Sequence, residues 1–373
     1  MPLRAREKGT ERVEGVSLSR ADSAPGHDFR PPVRRESVSA VGGPESRGFD
    51  ATWLPARTRL VLSEVRASIA SHAASERQRH LLQAAVARSR LGRTPGRYHA
   101  AVHLPLLVHA AVTGVDEPAI PLAAATALLW VGAELHDNLV DGDLPSDLAA
   151  VPPAELTYAA MAVSCVLPAS IVAALYVPSQ VRADMQRQLA DGLMRMFAGQ
   201  ERDVALTDAA DVDPTAVEAS VVGKNGAAQA MYAGLAARLA GAPEGIVRAY
   251  ADFGLALGVV YQLQSDFHEL FFTAHSRDLE HGTRTLQIAL ALAQADAVER
   301  ERLVELLQSA KTDPQAADRV RGVLKQPRLL LPWVEKVRQY VERGRAALAE
   351  AAPRDPAGEV LRVLLQSRSP ACS

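Results

Sequence analysis

The sequence predicts an all-α protein, and three observations carry that expectation. From Trp53 onward, Ala- and Leu-rich stretches place apolar residues at helical spacing. Pro and Gly punctuate those stretches, at Pro95 and Gly96, Pro152 and Pro153, Pro168, Pro178, Pro214, Gly241 to Pro243, Pro314, Pro327 and Pro353. Runs of β-branched residues with period-two alternation are nearly absent. Together these imply ten or more helices and almost no strand, and the lack of a fixed-period repeat excludes a solenoid.

Composition bounds what such a chain does. Of 373 residues, 48% are apolar, enough for a large core. With 41 basic and 43 acidic residues and a net charge of -2, nothing favours a nucleic-acid or membrane-surface partner. Residues 1 to 50 are rich in Arg, Ser, Pro and Gly without apolar periodicity, and are expected to be a disordered extension. Residues 51 to 373 are expected to form one helical domain. No window of about 18 uninterrupted apolar residues occurs, so no membrane span is expected. The first residues lack the apolar core of a secretory signal. Cys165 and Cys372 are isolated and suit a reducing, cytoplasmic setting.

Two acidic segments carry the chemistry. In the first, Leu128 to Asp143, an apolar helix runs into Asp137 and Asp141, four residues apart and therefore on one face. Two carboxylates so close repel unless a cation lies between them, and magnesium suits such a pair together with phosphate oxygens. A solvated helix end is the bland alternative for this segment alone. In the second, Gly258 to Phe271, Gln262, Asp266 and Glu269 share a face at i, i+4 and i+7, with Ser265 and Glu269 on a neighbouring one. Phe267, Leu270, Phe271 and Phe272 surround these acids with apolar bulk, which fits a solvated surface helix poorly. Between the segments lie Gly199, Gln200 and Asp203, then Lys224 and Asn225; after them comes Asp278 to Leu286. Met194 and Met196 read as core.

This ordered set resembles the trans-isoprenyl diphosphate synthases, the polyprenyl synthetase family, over roughly residues 90 to 295. HDNLVD at His136 to Asp141 is similar to the family's DDxxD, and YQLQSDFHE at Tyr261 to Glu269 to its FQxxDDxxD. Gly199, Gln200 and Asp203 match GQxxD, Lys224 and Asn225 a KT-type helix start, and Asp278 to Thr285 the closing DLxxGKxT. The resemblance implies an isoprenoid synthase fold, an antiparallel helical barrel around a deep apolar cavity, usually in a homodimer. It implies three magnesium ions bridging the acidic motifs to an allylic prenyl diphosphate. Asp137 and Asp141 are then the ligands on one side, Asp266 and Glu269 on the other, with Asn138 and Ser265 standing where the family carries further acids. Lys224 and Arg284 are candidates to hold the diphosphate, with Gln200, Asp203 and Gln262 around them.

The departures concern the second substrate. Where elongating members bind isopentenyl diphosphate through GGKxxR, this chain has Gly96, Arg97, Tyr98, His99 and Ala100, so Arg97 is the one plausible remnant. The arginine pair that follows the family's first motif is missing from Asp143 to Asp147. Loss of those bases favours a class I terpene synthase that cyclises the carbocation. The alternative is a prenyltransferase using isopentenyl diphosphate or another acceptor. A third reading, a non-catalytic regulatory subunit, is opposed by the retained acids. Small residues at Gly132 and Ala133, before the first motif, predict a pocket running past them to Trp130, and so a fifteen- or twenty-carbon substrate.

Overall fold

The computed structural model describes residues 49, 50 and 52–367, and every regular element in them is helical, from Trp53–His72 to Ala357–Gln366. The expected disorder of residues 1 to 50 falls almost wholly outside the described residues. Pro153, Pro214, Pro314 and Pro327 each open a helix at its first position, where the missing N–H breaks no hydrogen bond. Pro168 departs from its expected role as a boundary. The helix Pro153–Met161 continues through a π-helical turn, Ala162–Val166, into Leu167–Ala174. The widened turn accommodates the backbone bond that Pro168 cannot make.

Two short helices that are apolar on nearly every side lie at the centre. Ala100–Thr113 buries eleven of its fourteen residues and Ala227–Leu239 ten of its thirteen. They pack on each other, the first also on Ile120–Asp141 and the second on Glu244–Phe272. These two longer helices carry the acidic segments, so the core determines where the acids meet. Ser179–Leu206 packs on Ala227–Leu239, and Pro327–Ala351 on Glu244–Phe272. The end of Glu244–Phe272 is held on two sides. Phe267 stacks on Trp333 with ring centroids 4.5 Å apart. Leu270 and Leu279 are buried in a second, smaller apolar cluster with the helices Ala297–Ala310 and Pro314–Leu324.

By length and composition, three helical stretches could cross a membrane: Glu117–Asp141, Pro153–Ala174 and Glu244–Phe272. The sequence expectation of no span rested on uninterrupted apolar runs, which these amphipathic stretches do not need. In this fold 67%, 44% and 61% of their most apolar windows are buried inside the protein, so Pro153–Ala174 leaves the largest apolar share outside.

Gly132 corrects the reading of the pocket wall. A Cβ there would lie 2.6 Å from the Ser164 Cβ and 2.9 Å from the Ala160 carbonyl oxygen. Gly132 is small because the π-helical turn presses on it. Ala133 and Trp130 are half-buried and remain on the face that leads to Asp137. Gly132→Ala should therefore force the helices apart at a cost of about 1–3 kcal/mol. A lowered melting temperature with all prenyl diphosphates slowed alike is the expected result, and a loss confined to the longest substrate would return Gly132 to the pocket wall.

Candidate active site

Both acidic sets stand where a helix least favours them. Asp137 and Asp141 occupy the last turns of Ile120–Asp141, which Gly142 closes at φ 75°, and Asp266 and Glu269 the last turns of Glu244–Phe272. The carbonyl end of a helix carries partial negative charge, so acids there call for a cation. The chain supplies one. Lys224 Nζ lies 3.2 Å from Asp203 and 3.4 Å from Asp137.

Glycines place that lysine. A Cβ at Gly199 would stand 2.3 Å from the Lys224 backbone nitrogen, and one at Gly258 2.4 Å from the Asn225 carbonyl oxygen. Without side chains at these points, Ser179–Leu206 and Glu244–Phe272 press on the π-helical turn Val222–Gly226 from both sides. Lys224 thereby reaches Asp203, whose other oxygen accepts the Ser220 hydroxyl at 3.2 Å. Asn225 donates to Gln262, which donates in turn to Asp266 at 2.5 Å. The sequence grouped Asp203, Lys224, Gln262 and Asp266 by motif; the structure holds them in two bonded sets that start from the adjacent Lys224 and Asn225.

Asp203 raises the pKa of acids on both helices. Burial raises the pKa of Asp137, with Asp141 and Asp203 adding to the rise against the pull of Lys224. Burial, then Asp278 and Asp203, push Asp266 well above the usual carboxylate range. Asp278, in the helix Arg277–His281, is pushed up to about 7 by burial and by Glu269 and Asp203. Burial disfavours the charge on Lys224, yet Asp137 and Asp203 win and its pKa is raised. The site holds more negative charge than its lysine balances. Among the described residues no three His, Cys, Asp or Glu are assembled as a ready metal cluster. Hard carboxylate oxygens in excess suit magnesium, which takes the rest of its shell from water and phosphate.

The remaining expected residues divide. Asp141 is exposed, Gln200 and Asn138 are half-buried, and the Asn138 carbonyl accepts the Asp143 N–H at 2.9 Å. Glu269 accepts the Arg277 N–H at 3.0 Å. Ser265 is exposed and off the Gln262–Asp266–Glu269 stripe. Arg97 is exposed ahead of Ala100–Thr113. Arg284 is a correction: it is buried, with Nε donating to the Ala209 carbonyl at 2.8 Å and Nη1 to the Gly282 carbonyl at 3.0 Å. It ties two loops together instead of reaching into the site. Sequence reasoning missed Asp278, although its motif was visible, and Arg277, which pairs with Asp143 at 2.8 Å and had no motif to mark it.

The comparisons agree with this architecture. A family model described as polyprenyl synthetase matches residues 106–324. A polyprenyl synthetase from Streptomyces coelicolor A3(2) superposes with a TM-score of 0.73 at 19% identity, covering 85% of this chain and 99% of that one. A decaprenyl diphosphate synthase from Rhodobacter capsulatus gives 0.70 at 18% identity, over 86% and 97% of the chains. A geranylgeranyl pyrophosphate synthase from Corynebacterium glutamicum, solved with isoprenyl diphosphate and magnesium, gives 0.72 at 16% identity, over 86% and 99%. No curated protein sequence matches the chain.

The surplus of carboxylates has a pH signature. Folded, Asp278 keeps its proton up to about pH 7; unfolded, it loses it near its ordinary value of 3.8. The folded state binds more protons across that window, so stability falls as pH rises through it. Metal-free protein should melt at lower temperature near pH 8 than near pH 5, and Asp278→Asn should flatten the decline. A melting temperature that rises over that range contradicts the assignment.

Proposed function

Because the chain belongs to the polyprenyl synthetase family, we propose that it ionises an allylic prenyl diphosphate with magnesium and transfers the prenyl group to an acceptor. The observation that carries this reading is the meeting of two carboxylate sets, from two helix ends, around Lys224. Asp137 and Asp141 would hold ions on one side and Asp266 and Glu269 on the other, three ions in all, with Asp278 added to the second set. Magnesium, when bound, draws the leaving electron pair onto the diphosphate oxygens. Lys224 is the chain's own donor to that diphosphate, and the link from Asn225 through Gln262 holds Asp266 in place.

Similarity to solved synthases of prenyl diphosphates favours transfer over the cyclisation that the missing bases first suggested. Cyclisation stays as the second reading because that deficit of bases persists around the first motif. A substrate of fifteen or twenty carbons is part of the proposal, with Ala133 small and Trp130 the first large side chain back along the face that leads to Asp137. A homodimer is part of the proposal. Its support is exposed apolar surface: Tyr158, Met161 and Val166 on Pro153–Ala174, and Met194, Phe197 and Val204 on Ser179–Leu206. Met194, expected in the core, is among them.

Asp137→Ala and Asp141→Ala should each lower diphosphate release by about 100-fold or more, as expected for loss of electrostatic stabilisation at the leaving group. Asn138→Ala should cost far less, since the hydrogen bonds of Asn138 that close the helix use its backbone carbonyl. Phosphate-release assays with and without chelator check this. Turnover unchanged by chelator, or equal losses in all three variants, overturns the reading.

A further inference from the structure

Next to the acids of the site lies a half-buried carboxylate that the proposed reaction does not use. Glu134 sits one helical turn before Asp137, on the same face of Ile120–Asp141. Its side chain is 13% exposed, with the Arg93 guanidinium 3.9 Å away. Both of its oxygens accept the Arg90 backbone N–H, each at 3.0 Å. One turn further back, the buried Trp130 indole N–H approaches the same carboxylate without making a hydrogen bond to it. Glu134 thus ties the segment leading into Ala100–Thr113 to the wall of the site.

Three bases on the elements around the site are engaged, whereas Arg97 is exposed with no ion pair among the described residues. Arg88 pairs with Asp147 at 2.7 Å, Arg277 with Asp143 at 2.8 Å, and Lys224 with Asp137 and Asp203. His99, in the segment before Ala100–Thr113, is held neutral: burial lowers its pKa, and Arg90 and Arg97 lower it further.

We propose that Glu134 is a specificity residue that closes the acceptor side of the site to a second diphosphate, so that the prenyl group passes to an uncharged nucleophile. The proposal rests on the ionisation reading above. A diphosphate acceptor brings several negative charges and needs compensating bases as it leaves water. Glu134 adds a like charge at that place and occupies the Arg90 N–H and the Arg93 guanidinium, which could otherwise bind it. An uncharged acceptor meets no such repulsion. In the transfer, the C1–O bond of the allylic diphosphate breaks with its electron pair leaving on diphosphate. The acceptor supplies the pair for the new bond to C1, and the proton it loses passes to the departed diphosphate.

The test uses the full chain with magnesium, farnesyl or geranylgeranyl diphosphate, and radiolabelled isopentenyl diphosphate. The readouts are label incorporated per diphosphate released and calorimetric binding of isopentenyl diphosphate. Wild-type protein should release diphosphate, with water taking the acceptor's place at C1, without incorporating label, and should bind isopentenyl diphosphate weakly. Glu134→Gln, which removes the charge but keeps an acceptor for the Arg90 N–H, should tighten that binding by about tenfold or more. Wild-type incorporation that matches diphosphate release overturns the proposal whether or not the variant folds. So does a folded Glu134→Gln whose binding is unchanged. Failure of wild-type protein to release diphosphate from either substrate defeats the ionisation reading itself, and this proposal with it.

Discussion

One lysine faces more carboxylates than it can balance, and much of the fold exists to hold that imbalance in place. Lys224 touches Asp137 and Asp203, while Asp266 and Asp278 crowd the same space with no ion pair of their own among the described residues. Two helices end in acids at their negative poles, and a third crosses closely enough to add Asp203. Such a cluster opposes folding in the absence of metal. Its persistence makes sense if the missing positive charge arrives with the substrate.

The backbone supports this at points where side chains are absent. Gly199 and Gly258 let two long helices clamp the π-helical turn that carries Lys224 and Asn225. Gly132 does the equivalent against the π-helical turn Ala162–Val166, and so fixes the helix that carries Asp137. Both π-helical turns lie against the first or second acidic helix, and both sit where a regular turn would point its residues elsewhere. The apolar core, centred on Ala100–Thr113 and Ala227–Leu239, supplies the rigidity against which these contacts act.

Much of this was legible in the sequence, and the rest was hidden for physical reasons. Helical class follows from apolar spacing, and the acids announce themselves because carboxylates at i and i+4 after an apolar run are costly without a purpose. Asp203, Lys224 and Gln262 were found by motif order, but only the tertiary crossing shows Lys224 paired with Asp203 and Gln262 bonded to Asn225 and Asp266. Arg284 misled because a base beside a motif looks free; burial and two backbone carbonyls claim it. Gly132 misled because a small residue reads alike whether it faces a cavity or a neighbouring helix, and only the distance to Ser164 decides. Arg277 and Glu134 were overlooked because their partners, Asp143 and the Arg90 backbone, are set by the approach of separate segments.

The central claim is that this site is short of positive charge and admits an anion only together with metal. Calorimetric titration of inorganic diphosphate into the full chain tests it most directly, with magnesium present and then with chelator. The account predicts binding only with magnesium, accompanied by release of protons from the buried carboxylates beyond those released by magnesium diphosphate in buffer. Equal affinity for diphosphate in chelator, with no proton release, would contradict it.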